Sequence, residues 1–259
     1  AVKGFEDVEL PDSFFDVAVG NVPFGNFQVY DRQYNKLHFM IHDYFFAKTV
    51  DQLRTGGIMA FITSSGTMDK ENSTARKYLA ERCNLLGAIR LPNNAFKANA
   101  GTEVTSDIIF LKKRETLNPN IESWVDVSTD QNGLTYNSYF VDHPEMVLGT
   151  MKEVSGQFGM TLTCEPDTET SLEEQLRSAI KNINGSYEET VLTTNDNDLD
   201  NVDETVHTIP ADDNVQNFSF CEKDGKLYYR KDSVMEEWKG NKTAEERIRG
   251  LIKVRDAVK

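Results

Sequence analysis

Four consecutive residues near the start of the chain, Asn21, Val22, Pro23 and Phe24, carry the groups needed to hold a planar base. An Asn side chain can accept hydrogen bonds from an amine, a Pro ring fixes the backbone, and a Phe ring offers a flat surface. The residues just before them, 16–20, predict a buried β-strand that bends at Gly20. Because ligands of open α/β sheets bind beyond the carboxyl ends of strands, these residues predict a site for a base that bears an amino group.

A plainer interpretation stays open, in which Asn21 and Pro23 serve only the geometry of a turn that leaves a strand. The residues that follow bear on this choice, because they alternate between helical and extended patterns. An amphipathic helix is predicted over residues 35–54, ended by Gly56 and Gly57. A continuous apolar run at 58–63 predicts a central parallel strand, and the turn at 64–66 should lie near Asn21. A second helix (71–83) and strands at 85–91 and 104–112 complete a predicted doubly wound α/β sheet.

Asn21-Val22-Pro23-Phe24 resembles the (Asn/Asp/Ser)-Pro-Pro-(Tyr/Phe) signature of amino-group methyltransferases. The ordered set of segments over residues 14–114 resembles the type I and related N6-adenine DNA methylases. The segments that carry this resemblance are the strand from Gly56 to Ile62, the strand that ends at Leu91-Pro92, the loop from Asn93 to Phe96, Gly101-Thr102, and the strand that ends at Lys112-Lys113. From Gly4 onward the chain resembles, more narrowly, the methylase region of very large phage or mobile-element proteins that also carry helicase modules.

The resemblance implies methylation of the exocyclic amino group of adenine in DNA, as in restriction-modification. The Asn21 side-chain oxygen and the Val22 carbonyl would accept hydrogen bonds from the amine, Pro23 would fix the turn, and Phe24 would stack on a base flipped out of the duplex. Val22 departs from the signature, which has Pro there; the carbonyl is kept and the rigid ring is lost. The implied catalytic residues are Asn21, Val22, Pro23 and Phe24, and the substrate-binding residues are Asn21, Phe24, Gly25, Ser64 and Ser65.

S-adenosylmethionine is the cofactor that the resemblance implies, and its Gly-rich turn is not visible. No G-x-G-x-x-G occurs in the chain, and the family carries its cofactor motifs before the signature. We therefore expect them upstream of Ala1. On this interpretation the chain is the C-terminal half of a partial Rossmann-like, class I methyltransferase domain cut from a longer protein, and it is inactive alone.

After residue 114 the pattern changes and predicts a smaller α+β appendage. The expected domains are the methyltransferase half (1–115), a mixed extension (116–184), an acidic linker or loop (185–216), and a hairpin plus helix leading to a following domain (217–259). Local signals predict a strand at 124–127, a helix start at His143-Pro144, and a helix capped by Ser171. They also predict a hairpin joining 218–221 to 226–229 and a helix over 245–258.

The net charge of −14 is unevenly distributed. Residues 1–115 hold 14 Lys and Arg against 14 Asp and Glu, and residues 116–259 hold 14 against 28. Because DNA affinity draws on phosphate contacts, we expect DNA binding through other parts of a parent protein, with an adjacent helicase-like domain possible and the oligomeric state open. No apolar run predicts a membrane span. The three scattered cysteines, Cys83, Cys164 and Cys221, fit a reducing cytoplasm.

His38 and His42 lie four residues apart with Asp43 adjacent, but the sequence offers no third ligand, so no metal site is expected. Two other functions remain open. One is a non-catalytic DNA-binding or scaffold module, which Val22 and the acidic second half favour. The other is methyl transfer to RNA or to a protein glutamine, because those enzymes share an Asn-Pro-Pro-aromatic turn.

Overall fold

The computed structural model describes residues 3–8, 10–156, 159–186, 208–212, 214–240 and 242–258. The chain divides into two compact units, one of residues 1–8 and 16–187 and the other of residues 9–15 and 188–259. The four-part domain division stays a prediction. Most of the expected acidic linker, residues 187–207 and 213, lies outside the described residues. Within the described part of the chain, no helix is long and apolar enough to cross a bilayer.

The first unit is built on a four-stranded sheet. Its strands are β1 (Phe15–Asn21), β2 (Leu53–Ser64), β3 (Cys83–Leu91) and β4 (Ser106–Lys113), in the order β1-β2-β4-β3. Both β2 and β3 pair antiparallel with β4, so they run in the same direction with β4 between them. The α/β content is as expected. The strand predicted as parallel at 58–63 runs in the same direction as β3 but is antiparallel to its hydrogen-bonded neighbour β4. The connection from β3 to β4 contains only a four-residue helix, too short to carry the chain across the sheet for a parallel return.

The prediction that β1 is buried is wrong. Val17 and Val19 are 53% and 77% exposed, although both were expected inside. β1 ends the strand order, and β2 is its one neighbour among the described strands. A run of β-forming residues predicts a strand, but it does not predict that the strand is buried, because burial depends on what packs against it. No described element covers the Val17 and Val19 side chains.

The helix predicted over residues 35–54 forms over a shorter range. A 3-10 turn occupies Asn35–Leu37, His38 has a positive φ of 52°, and Met40 is extended, so the helix cannot begin before Ile41. It ends at Gln52 and not at the two glycines, because β2 begins at Leu53 and continues through Gly56 and Gly57. The helices of this part are α1 (Ile41–Gln52), α2 (Gly66–Asp69), α3 (Thr74–Arg82) and α4 (Lys97–Ala100).

α1 is buried on nearly all sides, although its sequence is amphipathic. Lys48 and Gln52 are both buried, because segments distant in sequence cover the outer face. The Lys48 ammonium donates to the Phe5 carbonyl at 2.8 Å, and Tyr34 and Phe39 join Tyr44 in an apolar cluster. The covered helix thereby becomes a fixed support for the loop that precedes it.

Residues 116–186 pack in the same unit as the sheet. The strand predicted at 124–127 is a 3-10 turn at Ser123–Val125 followed by a short strand, and the helix at Pro144 is a single 3-10 turn. The helix predicted after Ser171 is confirmed, with a complete capping box between Ser171 and Glu174. The regular elements are β5 (Val127–Thr129), β6 (Thr135–Asn137), α5 (Ser138–Asp142), β7 (Thr150–Gly156), β8 (Gly159–Glu165) and α6 (Leu172–Ala179).

The second unit contains an antiparallel sheet and one helix. The elements are β9 (Thr208–Pro210), β10 (Phe220–Lys223), β11 (Lys226–Lys231), β12 (Val234–Glu237) and α7 (Lys242–Val258), and the strand order is β10-β11-β12-β9. The predicted hairpin is confirmed as β10 and β11, joined by Asp224 and Gly225 at φ values of 51° and 78°, as a type I′ turn requires. Arg230 is fully buried and donates to the backbone carbonyls of Asp232 and Asp12.

Candidate functional site

The Asn21–Phe24 stretch lies at the end of β1. One of its residues is buried and attached to the neighbouring strand, and the other three are exposed. Val22 is buried, and its N–H donates to the Ile62 carbonyl of β2 at 3.0 Å. Asn21, Pro23 and Phe24 are exposed. The side chains that were predicted to touch a base therefore face solvent, while the backbone that carries them is fixed to the next strand.

Ser64 and Ser65 end the neighbouring strand. Ser64 is paired with Ser106 of β4, and the Ser65 N–H donates to the Thr105 carbonyl at 3.1 Å. The bond between Val22 and Ile62, two residues before Ser64, shows that β1 and β2 end at the same edge of the sheet. The structure therefore brings the ends of these two strands together, and both serines are half-buried there.

Gly25 lies where the loop after the signature approaches α1. A Cβ atom at Gly25 would come within 2.6 Å of the Phe27 ring and 3.5 Å of Ile41 Cγ2. The loop then joins the start of the helix, where the Ile41 N–H donates to the Phe27 carbonyl at 2.9 Å. A side chain at residue 25 would therefore displace the exposed Phe27 ring.

Asp31 holds the far end of the same loop against α1. Its Oδ2 atom accepts from the Tyr44 hydroxyl at 2.8 Å and from the Lys48 ammonium at 3.2 Å, and its other oxygen accepts from the Gln33 N–H. Burial raises the pKa of Asp31, but the hydrogen bonds from Tyr44, Gln33 and Lys48 and the Lys48 charge outweigh it, so the net pKa lies below its ordinary value of 3.8. Asp31 is therefore an ionised anchor of the loop.

His42, Asp43 and Lys70 form a cluster of ionisable side chains next to the Gly25 backbone. The sequence did not predict that these three side chains lie together. The Lys70 Nζ atom is 2.5 Å from His42 Nε2 and 3.3 Å from Asp43 Oδ2. His42 is 3% exposed. Burial lowers its pKa below 6.5, the Asp43 charge raises it, the Lys70 charge lowers it, and the Gly25 backbone raises it, with a net lowering.

His42 is consequently neutral and accepts the Lys70 hydrogen bond through Nε2. Its proton then resides on Nδ1, which is buried. The four-residue spacing from His38 does not place the two rings on one helix face, because His38 precedes α1. Among the described residues, no three His, Cys, Asp or Glu side chains cluster as metal ligands would.

Arg90 fixes α2, the helix that follows the Ser64–Ser65 turn. Its guanidinium donates hydrogen bonds to both carboxylate oxygens of Asp107, at 2.8 and 2.9 Å, and to the Asp69 carboxylate of α2, at 2.8 Å. The same Asp69 oxygen accepts the Asn137 N–H at 3.0 Å. Sequence patterns did not indicate these contacts, since a charged residue in a strand ordinarily predicts a solvent-facing position.

Residues 2–96 match the sequence profile of the Eco57I restriction-modification methylase family. The predicted resemblance to restriction-type methylases is confirmed over that segment. The chain is also 34% identical over 110 residues to the "Defense against restriction protein B" of Escherichia phage P1. That match covers 41% of this chain and 5% of the phage protein, so the chain spans about one twentieth of that relative.

Two solved structures are also similar to the chain. A putative class I S-adenosylmethionine-dependent methyltransferase from Listeria monocytogenes is 18% identical, with a TM-score of 0.32 over 42% of this chain and 34% of its own. A modification subunit of a putative type I restriction enzyme from Vibrio vulnificus is 14% identical, with a TM-score of 0.34 over 62% of this chain and 40% of its own. Scores of this size do not establish a shared fold.

Proposed function

We propose that this chain carries the target-base pocket of a methyltransferase that acts on the exocyclic amino group of adenine in DNA, as part of a larger protein. The observation that carries the proposal is the placement of Asn21 and Phe24. Both side chains are exposed at the end of β1, on a backbone that Val22 bonds to β2. The profile match over residues 2–96 supports the methylase class.

The chemistry requires acceptors, because the lone pair of the adenine amine is delocalised into the ring. The Asn21 side-chain oxygen and the Val22 carbonyl accept hydrogen bonds from its two hydrogens, which draws the nitrogen toward a tetrahedral, nucleophilic state. Phe24 stacks on the extruded base, offsetting an unpairing cost of a few kcal/mol. The chain's contribution is therefore positioning and electrostatic stabilisation.

S-adenosylmethionine supplies the methyl group in this class of reaction. The described residues do not fit a cradle for it, since no glycine-rich turn joins a strand to a helix among them: Gly56 and Gly57 lie inside β2. A class I, Rossmann-like completion of the sheet by preceding strands would provide the cradle. Calorimetric titration of S-adenosylmethionine into this chain, and into a chain extended at the N-terminal side by about one α/β half-domain, tests this. Binding by the longer chain only is expected.

The function itself is tested with Asn21→Ala in the longer chain, assayed for methyl transfer to adenine in duplex DNA. We expect loss of transfer by about a hundredfold or more, since one of two activating acceptors is removed. Asn120→Ala is the matched control, because Asn120 is an exposed asparagine outside the site. Full activity of Asn21→Ala, with its unfolding transition unchanged, would contradict the proposed role.

A non-catalytic DNA-binding module is the second candidate, and Val22 favours it. A proline in this position could not make the hydrogen bond to Ile62, so the local anchoring differs from that of the signature. If the longer chain binds both S-adenosylmethionine and DNA but transfers no methyl group, the non-catalytic function is favoured. Transfer to RNA or to a glutamine peptide in parallel assays would identify a different acceptor.

A further inference from the structure

Exposed aromatic rings are concentrated in one short segment. Among the described residues, the exposed aromatic side chains are Phe24, Phe27, Tyr30 and Phe218, at 41%, 54%, 83% and 56%. Three of these four lie within seven consecutive residues. Large rings are usually at least half-buried, so several exposed ones together indicate a contact surface.

The polar residues around these rings are suited to an anionic partner. We call residues 24–38 the aromatic segment. Its exposed charged side chains are those of Arg32 and Lys36, and its exposed amides are those of Asn26, Gln28 and Gln33. Its one carboxylate, Asp31, is held by Tyr44 and Lys48 of α1. In a chain with a net charge of −14, this segment thus presents cations and amides to solvent, and its single negative charge is compensated.

The backbone of the aromatic segment is fixed from behind, on the side opposite to its exposed rings. The Phe27 carbonyl accepts from the Ile41 N–H, and Gln28 and Met40 form an isolated β-bridge. The Tyr34 hydroxyl donates to Asp51 Oδ2 at 2.7 Å. Because the backbone is already ordered, a ligand that stacks on the rings loses little free energy in ordering it.

We propose that the aromatic segment binds the DNA strand that flanks the target adenine, with Tyr30 and Phe27 stacking on unpaired bases and Arg32 and Lys36 contacting phosphates. Rings that alternate with amides and cations match the way single strands are bound, by base stacking and phosphate contacts together. A protein partner would be better matched by a continuous apolar patch with a polar rim. The proposal rests on the proposed function for the identity of the strand.

The experiment is equilibrium binding of fluorescein-labelled DNA to the full 259-residue chain, measured by anisotropy without S-adenosylmethionine. Three DNA probes are compared, namely a fully paired duplex, the same duplex with an abasic site opposite the central adenine, and the single strand. The RNA strand of the same sequence is the fourth probe. Tighter binding of the two probes with unpaired bases is expected. Equal binding of all three, or no binding of any, would overturn the proposal, as would a stronger preference for the RNA strand of the same sequence.

The matched variants are Tyr30→Leu, Tyr30→Phe and Phe218→Ala. Tyr30→Leu removes the ring and should weaken binding of the unpaired probes about fivefold or more, from the usual contribution of one stacked base. Tyr30→Phe keeps the ring and should bind the unpaired probes as tightly as the unsubstituted chain does. Phe218→Ala should also leave this affinity unchanged. Arg32→Gln removes one phosphate contact. It should therefore reduce the slope of the logarithm of the DNA binding constant against the logarithm of the salt concentration by about one. If the Tyr30→Leu variant binds the unpaired probes as tightly as the unsubstituted chain does, the aromatic segment does not bind the DNA strand.

These outcomes are separable from those of the proposed function. Loss of methyl transfer on Asn21→Ala with no effect of Tyr30→Leu on DNA affinity would uphold the reaction and reject this surface. Ring-dependent binding of unpaired DNA without any methyl transfer would uphold the surface and reject the reaction.

Discussion

Arg90 and Asp107 form a fully buried ion pair on adjacent strands, with Nε to Oδ1 at 2.8 Å and Nη2 to Oδ2 at 2.9 Å. A pair of this kind is costly to break from one side, because the remaining charge keeps its desolvation penalty without its partner. It joins β3 to β4, and through Asp69 it also joins the sheet to α2. α2 directly follows the turn at Ser64 and Ser65.

We expect Asp107→Asn to lower the free energy of unfolding by about 3 kcal/mol or more, measured by urea titration. The double variant Arg90→Met/Asp107→Leu should be less destabilised. It leaves no unpaired charge between the two strands, and Asp69, which loses the guanidinium, keeps the hydrogen bond from the Asn137 N–H and its partial exposure to solvent. Glu165→Gln, which breaks an exposed pair with Lys152, should cost less than about 1 kcal/mol. A double variant as unstable as the single one would show that the pair itself is required.

Restoring the proline of the methyltransferase signature should harm this chain. Val22→Pro removes the N–H that bonds the Ile62 carbonyl, at a cost of about 1 kcal/mol in unfolding free energy, and the ring cannot replace that bond. Thermal unfolding measures the effect, with Val22→Ala as the variant that keeps the N–H. A Val22→Pro protein more stable than Val22→Ala would mean that the bond to β2 contributes little.

Because of Asp31, the free energy of unfolding should depend on pH in the acid range. Its pKa in the folded chain is below 3.8, so its contribution is complete above the unfolded pKa of about 3.9 and is lost as pH falls through the lower, folded pKa. The difference in unfolding free energy between the unsubstituted chain and Asp31→Asn should therefore be larger at pH 7 than at pH 3. Tyr44→Phe, which removes one donor to Asp31, should reduce that difference. A difference independent of pH would contradict the role of the carboxylate.

Lys70 should hold the pKa of His42 down. Removing the ammonium in Lys70→Met takes away a charge that disfavours the imidazolium while Asp43 remains, so the pKa of His42 should rise relative to the unsubstituted chain. NMR titration of the imidazole signals, assigned with His42→Gln, measures the change. Lys77→Met, at an exposed position of α3, should have no such effect. Identical titration in Lys70→Met would show that Lys70 does not face the ring in solution.

The parts of the fold that the sequence predicted correctly are those determined within a few residues. The capping box from Ser171 to Glu174 and the Asp224-Gly225 turn are local chemistry, and both are found. Asn21 and Ser64 lie at neighbouring strand ends, because α1 connects β1 to β2 and a helical crossover lets two adjacent strands end at the same edge of the sheet. Whether these residues perform catalysis stays a prediction.

The features that sequence patterns missed depend on contacts between distant segments. Arg76, Arg90 and Arg230 are each fully buried, and each has among its acceptors a backbone carbonyl or carboxylate far away in sequence, such as the Val125 carbonyl for Arg76. The late start of α1 reflects the loop that packs against it, and the exposure of β1 reflects which elements cover it. Neither can be derived from hydrophobic period alone.

The position of β4 also constrains the order in which the sheet can assemble. It is the last of the four strands in the chain, yet it lies between β2 and β3, so those two strands have no common hydrogen-bonding partner until residues 106–113 have left the ribosome. Loop closure over such separations is slow compared with local hairpin formation. A nascent chain that stalls before Ser106 would hold β3 with an unpaired edge, the kind of intermediate that chaperones recognise and that aggregates when they do not.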